Sequence, residues 1–353
     1  MHAKLSISMK KKRVLVISTG GTISMVKDPE TGALRPADWE EFKSFMPELN
    51  TDNLEVVLTR FEHFIDSSDV NPEFWGKLAG IIYHNYPDYD GFVVLHGTDT
   101  MSYSASALSF MLENLNKPVV FTGSQLPIGV RRNDARENFL TAIEIAAEQD
   151  EMGDAIVPEV TVFFEDRLWR GNRTTKVNAE KFAAFKSYNY EALAMAGVHI
   201  RYYPERIHYN DQHASLRLRT KTDSNVAILK LYPGISQKMV DAILHIPGLR
   251  AVVLETFGSG NAMSAPWFYE TLKEAVDKGI IIVNKTQCLG GSVDLGHYAA
   301  SLPMLKAGVL SGYDITTEAL VTKLMYLLGE HGNDIATIKN LICTSICGEM
   351  TVD

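Results

Sequence analysis

Arg13-Val14-Leu15-Val16-Ile17-Ser18-Thr19-Gly20-Gly21-Thr22-Ile23 is the stretch around which the chain is organised. Its short apolar run, closed by a glycine pair, predicts a strand buried on both faces that carries its last residues to the carboxyl edge of a parallel sheet. Open α/β sheets bind ligands at that edge. Without Cβ atoms, Gly20 and Gly21 can take positive φ and let a ligand approach the backbone, so that Thr19 and Thr22 present their hydroxyls to it. A threonine on such a turn is a candidate nucleophile. Taken alone the signal is weak, because Gly-Gly turns more often serve plain structure or cradle a phosphate.

Outward from this stretch, strand-like and helix-like segments alternate. Strands are predicted over Leu54 to Thr59, Gly91 to His96, Lys117 to Thr122 and Glu159 to Phe164, and helices over Trp39 to Met46, Tyr103 to Leu115 and Asp134 to Glu148. Asn71-Pro72-Glu73 has the form of an N-cap with proline at the first helical position, opening a helix through about Tyr86. Such alternation implies βαβ units and a parallel sheet. From about Val198 to Asp223 the rhythm breaks, and the alternating Arg217-Leu218-Arg219 predicts a hairpin. It resumes with strands at Val226 to Leu231, Ala251 to Glu255 and Ile280 to Asn284. Helices are expected at Ser236 to His245, Pro266 to Lys278, Thr317 to Leu328 and Asp334 to Leu341. The expected fold class is therefore α/β. A larger N-terminal domain (1–222, with a linker from about 198) holds a mostly parallel sheet flanked by helices, and residues 223–353 form a smaller C-terminal α/β domain.

The 353 residues suffice for two domains with an ordinary core, and the 46% apolar and 22% charged residues fit a soluble globular protein. A net charge of -9 argues against nucleic acid or an acidic membrane surface as partner. No stretch approaches the length of a membrane span, and the apolar run after Lys10-Lys11-Lys12-Arg13 is too short for a signal peptide, so a cytoplasmic location is expected. Cys288, Cys343 and Cys347 fit reduced, buried thiols; no HExxH, CxxC or clustered His/Asp site suggests a metal.

Polar motifs collect at the ends of the predicted strands: Thr19-Gly20-Gly21-Thr22, Asp66-Ser67-Ser68-Asp69, His96-Gly97-Thr98-Asp99-Thr100, and Arg170-Gly171-Asn172-Arg173-Thr174-Thr175-Lys176. A parallel sheet puts the first and third on one edge. A lysine paired with an aspartate there can order a threonine hydroxyl and take a proton through it, in place of the histidine of a serine-hydrolase triad. The plainer readings are an N-cap for Asp99, a solvated surface charge for Lys176, and turn or cap residues for Ser67 and Ser68.

On these residues, together with Thr122-Gly123-Ser124-Gln125 and Phe257-Gly258-Ser259-Gly260-Asn261, the chain from about Lys12 to Glu349 resembles the bacterial-type L-asparaginases, most of all their cytoplasmic type I group. Thr-Gly-Gly-Thr-Ile and His-Gly-Thr-Asp-Thr-Met are that family's two signatures, and both are intact. The resemblance implies an amidohydrolase with Thr22 as nucleophile and Thr98, Asp99 and Lys176 as a second threonine triad. Asp66, Ser67 and Ser68, with Gly97 beside them, would hold the α-amino and α-carboxylate groups of L-asparagine, and Asp99 would also face the amine. Many relatives carry a tyrosine shortly after the nucleophile, whereas this chain has Thr31-Gly32-Ala33-Leu34 there; Tyr298 is the match for the tyrosine that replaces it in type I relatives.

The implied chemistry is acyl transfer in two steps, through a β-aspartyl ester of Thr22, with no metal or organic cofactor. The resemblance further implies dimers paired into tetramers, with Asn261 approaching the neighbouring subunit's site. Some cytoplasmic members bind a second asparagine through an arginine in the strand before the position of Phe257. Here Glu255 stands there and would repel a carboxylate, so non-cooperative or weakly cooperative kinetics are expected. Three other readings stay open: a nucleotide-binding protein with Gly20-Gly21 as its phosphate loop, a non-catalytic amino-acid sensor, and a glutaminase-asparaginase. The first lacks both the third glycine of GxGxxG and a Walker lysine.

Overall fold

The computed structural model of the chain describes residues 11–49, 51–62, 64–295 and 302–352. Among the described residues eight strands form the larger sheet: β1 Lys12–Ser18, β2 Leu54–Arg60, β3 Gly91–Leu95, β4 Val119–Thr122, β5 Val160–Phe164, β6 Arg167–Arg170, β7 Ala194–Ala196 and β8 Ile200–Tyr202. Their spatial order is β8-β7-β6-β5-β4-β3-β1-β2. β1 to β5 pair in parallel, and β6, β7 and β8 continue the sheet antiparallel.

The sequence of β1 explains its central place. Leu15 and Ile17 face one side, into the cluster formed with helices α2 (Pro72–Asn85) and α3 (Met101–Met111), while Val14 and Val16 face the other, toward α1 (Trp39–Ser44) and α4 (Ala135–Ala147). A strand buried on both faces must be apolar throughout, as the run Val14–Ile17 is. In register, Ser18 lies opposite Leu95 of β3 and Arg60 of β2, so the segments after these three strands leave the sheet at one edge.

The smaller sheet is wholly parallel, in the order β9 (Val226–Lys230), β10 (Ala251–Thr256), β11 (Ile281–Thr286), β12 (Leu310–Ser311). Around it stand α5 (Gln237–Leu244), α6 (Pro266–Asp277), α7 (Leu302–Lys306), α8 (Thr317–His331) and α9 (Ile335–Ile342). α8 packs on α3, where Phe110 and Tyr326 stack with ring centroids 5.9 Å apart, so the two units share an apolar seam.

The structure departs from the sequence pattern at several places. Arg217–Leu218 pairs with Leu112–Glu113 a hundred residues earlier, not with a local partner, and α3 accordingly ends at Met111. The β5–β6 hairpin was not expected, because it turns through Glu165 at φ 62°, where no glycine marks a turn. α7 and β12 are too short to leave a period. Cys288 is exposed, not buried as expected, whereas Cys343 and Cys347 lie beyond the end of α9 with intermediate exposure, the Cys347 Sγ accepting from Asn172 Nδ2 at 3.2 Å. Among the described residues no helix is long and apolar enough to cross a membrane.

Candidate active site

Three loops meet at the edge where β1, β2 and β3 end, and two glycines let them meet. Gly21 has φ 83°, and a Cβ on it would lie 2.6 Å from the backbone nitrogen of Gly97. A Cβ on Gly97 would in turn lie 2.5 Å from Ser67 Oγ. The threonine turn, the His96–Thr100 loop and the Asp66–Asp69 loop are thus stacked at distances that no side chain allows. Thr22 opens a 3-10 turn over Thr22–Ser24 and is partly exposed. Thr19 is buried and donates its hydroxyl to the Leu95 carbonyl at 2.9 Å, so the structure makes it a tie between β1 and β3 and not a second presented hydroxyl.

Asp66 caps a 3-10 turn over Ser67–Asp69, accepting from Ser68 N at 3.0 Å and Ser68 Oγ at 2.9 Å. The backbone bond first and the hydroxyl second hold its carboxyl below the ordinary range. Ser67 is buried, and its carbonyl accepts from Thr100 Oγ1 at 2.6 Å, which ties this loop to the one after β3. His96, fully buried, uses both ring nitrogens: Nδ1 faces the Gly97 carbonyl at 2.6 Å and Nε2 the Ser104 hydroxyl at 2.9 Å, itself receiving the Trp75 indole N–H at 3.1 Å. Burial pushes its pKa down to about 4, so it stands neutral and braces the loop.

Lys176 arrives from the far side of the sheet. After β6 the chain makes a 3-10 turn, Gly171–Arg173, and Thr175–Lys176 then pairs antiparallel with Phe185–Lys186. Its Nζ donates to Thr98 Oγ1 at 2.7 Å and to Asp99 Oδ1 at 2.7 Å. The lysine side chain is only 17% exposed and Asp99 is 65% exposed, so Lys176 is no solvated surface charge. Nor is Asp99 a helix cap: Thr100 occupies the cap position of α3, with no side-chain bond. An ion pair half in solvent contributes little stability, so what this pair supplies is an oriented Thr98 hydroxyl.

Thr22, Asp66, Ser67, Ser68, Gly97, Thr98, Asp99 and Lys176 therefore gather on one edge. Asn261 does not join them: it sits in the turn after β10, exchanging backbone hydrogen bonds with Phe257 at 2.9 and 2.8 Å. Tyr298 lies outside the described residues. Glu255, on β10, is buried, accepts from Thr317 Oγ1 at 2.7 Å and has Lys230 Nζ 3.5 Å away. The sequence pattern gives Arg170 and Arg173, within the lysine loop, no role, and the structure does. Arg170 pairs with buried Glu159 at 2.6 and 3.0 Å, and Arg173 with Asp314 at 2.8 Å. Their three-residue spacing, which Arg167 and Lys176 continue on either side, was the available signal. Among the described residues no group of three or more His, Cys, Asp or Glu side chains could hold a metal ion.

Comparison with known proteins places the chain. Residues 13–208 match the asparaginase N-terminal domain and residues 225–342 the glutaminase/asparaginase C-terminal domain. The chain is 42% identical over 348 residues to L-asparaginase 1 of Escherichia coli K12, covering 98% of this chain and 100% of that one. It is also 42% identical over 362 residues to the 60 kDa lysophospholipase of Homo sapiens, covering 97% of this chain and 62% of that longer protein. The crystal structure of L-asparaginase I from Vibrio cholerae matches with a TM-score of 0.88 at 38% identity, covering 97% of this chain and all of that one. With both domain types present in order and relatives of this identity over nearly its whole length, the chain belongs to the asparaginase family.

Proposed function

We propose that the chain hydrolyses the side-chain amide of L-asparagine to L-aspartate and ammonia, with Thr22 as the acylated residue. The observation that carries this reading is the double contact of Lys176 Nζ with Thr98 and Asp99 on the edge where the Gly21–Gly97 approach fixes the Thr22 turn.

In the first step Thr22 Oγ attacks the amide carbon while its proton passes to a base, the role given to Tyr298, and backbone N–H groups receive the oxyanion. The C–N bond then breaks as the nitrogen takes up a proton, and ammonia leaves a β-aspartyl ester on Thr22. In the second step water gives a proton to the Thr98–Lys176–Asp99 network and attacks the ester, and aspartate departs as Thr22 regains its hydrogen. Asp66, Ser67, Ser68 and Gly97 hold the α-amino and α-carboxylate ends. The carboxylate of Asp66, kept ionised by Ser68, is the fitting counter-charge for an ammonium. The scheme calls on no metal or organic cofactor.

The same reading divides the chain at residue 222, makes the working form a dimer of dimers in the cytoplasm, and gives Asn261 to the neighbouring subunit's site. Ammonia release from asparagine and glutamine, side by side over a concentration series, tests the reaction, with fatty-acid release from a lysophospholipid as a third arm. Asparagine turnover with the highest kcat/KM is expected; fatty-acid release without ammonia release would overturn the reading.

A further inference from the structure

We propose that the C-terminal strap, residues 343–351, is a positioning element for the active-site lysine, acting through the carbonyl of Gly348. The inference rests on the role given to Lys176 above. The lysine follows a tight turn: Thr174 N and Oγ1 return to the Gly171 carbonyl at 3.4 and 2.8 Å, Thr174 Oγ1 touches Ser102 Oγ at 3.2 Å, and Thr175 Oγ1 donates to Glu318 at 3.1 Å. The turn's longer side chains bond to the strap. Gly348 O accepts from Arg173 Nε at 2.8 Å and from Arg170 Nη1 at 3.3 Å. Asn172 Nδ2 donates to Cys347 O at 3.1 Å. Arg173 Nη2 reaches Thr351 Oγ1 at 3.2 Å, while Asp314, the ion-pair partner of Arg173, accepts from Thr351 N at 2.7 Å.

The strap itself is pinned with unusual care. Lys323 and Glu349 are both completely buried, with Nζ and Oε1 2.6 Å apart. The three donors of the ammonium are all used, on Glu349, Ile342 O at 3.1 Å and Thr344 O at 2.7 Å. The carboxylate also accepts the backbone N–H groups of Ile346 at 3.0 Å and Cys347 at 2.9 Å. Burying two charges costs desolvation that their attraction barely offsets, so such a pair contributes little net stability. What it does here is fix the turn that aims the Cys347 and Gly348 carbonyls at residues 170–173. Lys176 lies three residues beyond Arg173: its backbone is held on one side by the pairing with Phe185 and on the other by this turn, so movement of the turn shifts the direction of its ammonium.

Gly348→Ala tests the inference. Gly348 has φ 80°, and a Cβ there would sit 2.4 Å from Arg170 Nη1 and 2.8 Å from its Cζ, so the strap or the arginine must move. A misplacement near 1 Å at reacting groups costs up to about 100-fold, so kcat on asparagine should fall about 10- to 100-fold, with KM and aspartate affinity within about threefold of the parent. If that variant does not fold, the double replacement Lys323→Met with Glu349→Leu carries the same expectation, since apolar side chains can fill the site while the turn loses its acceptor. A folded variant of either kind with parental kcat, or one losing aspartate binding and turnover in equal measure, overturns the inference. Parent and Lys176→Ala are assayed alongside. A parent inactive on asparagine refutes the functional reading, whereas an inactive Lys176→Ala beside a fully active Gly348→Ala refutes only the strap.

Discussion

The ammonium of Lys176 donates to the hydroxyl of Thr98 at 2.7 Å, across 78 residues of sequence. The contact orients a hydroxyl that would otherwise rotate freely, and Asp99 at 2.7 Å completes the geometry. Replacing Lys176 by Met keeps the stem and removes the donor. General acid–base networks of this kind contribute about 10²- to 10⁴-fold, so kcat should fall within that range. KM should change far less, because Asp66, Ser67 and Ser68 are untouched. Steady-state kinetics on asparagine checks the split, and a Lys176→Met variant with parental kcat contradicts it.

Gly21→Ala meets two obstacles: a φ of 83° and a Cβ only 2.6 Å from Gly97 N. Forcing a side chain into such a backbone conformation costs about 1–3 kcal/mol, and relief requires the threonine turn to draw away from the Thr98 loop. The expected outcome is a lower denaturation midpoint together with a loss of turnover. Parental values of both would show that the close approach is not needed.

Acid sensitivity follows from His96. Its pKa is pushed from the ordinary 6.5 to about 4 by burial, so between those values the unfolded chain binds a proton that the native state refuses. The group's contribution is complete above pH 6.5 and is lost as pH falls toward 4, at about 1.4 kcal/mol per pH unit and roughly 3 kcal/mol in all. Urea midpoints of the parent and of His96→Gln, measured from pH 7 down to 4, should diverge in slope by about one proton. Parallel slopes would contradict the assignment of a neutral, buried imidazole.

Glu255 occupies the position at which the family resemblance implies, for some members, an arginine that binds a second asparagine. Buried between Thr317 and Lys230, its carboxylate offers a bound amino acid's carboxylate repulsion where an arginine would offer a bidentate partner. Saturation by asparagine should therefore be hyperbolic or nearly so. A clearly sigmoidal curve overturns this expectation.

How much of this was legible in sequence depended on distance along the chain. Val14–Ile17 announced a doubly buried strand, and Asn71-Pro72 a helix start, because both signals are local. The convergence of Thr22 with Thr98 could be inferred, since parallel strands share an edge. Asp99 misses the cap position by one residue, which Thr100 takes, and the burial of Lys176 could not be inferred, because it turns on partners 77 residues or more away. The same holds for Leu112–Glu113 with Arg217–Leu218, and for the Gly348 carbonyl shared by Arg170 and Arg173. Glu349 and Lys323 carry no periodic or motif signal at all; only packing shows them to be a pair.

Acylation of Thr22 is the step on which the proposed reaction turns. Its most direct test is acid quenching of the enzyme during asparagine turnover, followed by mass spectrometry of the intact protein and its peptides. An aspartyl adduct is expected on the peptide containing Thr22, absent from a Thr22→Ala variant that still binds aspartate but releases no ammonia. An adduct on another residue, or ammonia release by Thr22→Ala at the parental rate, would contradict it.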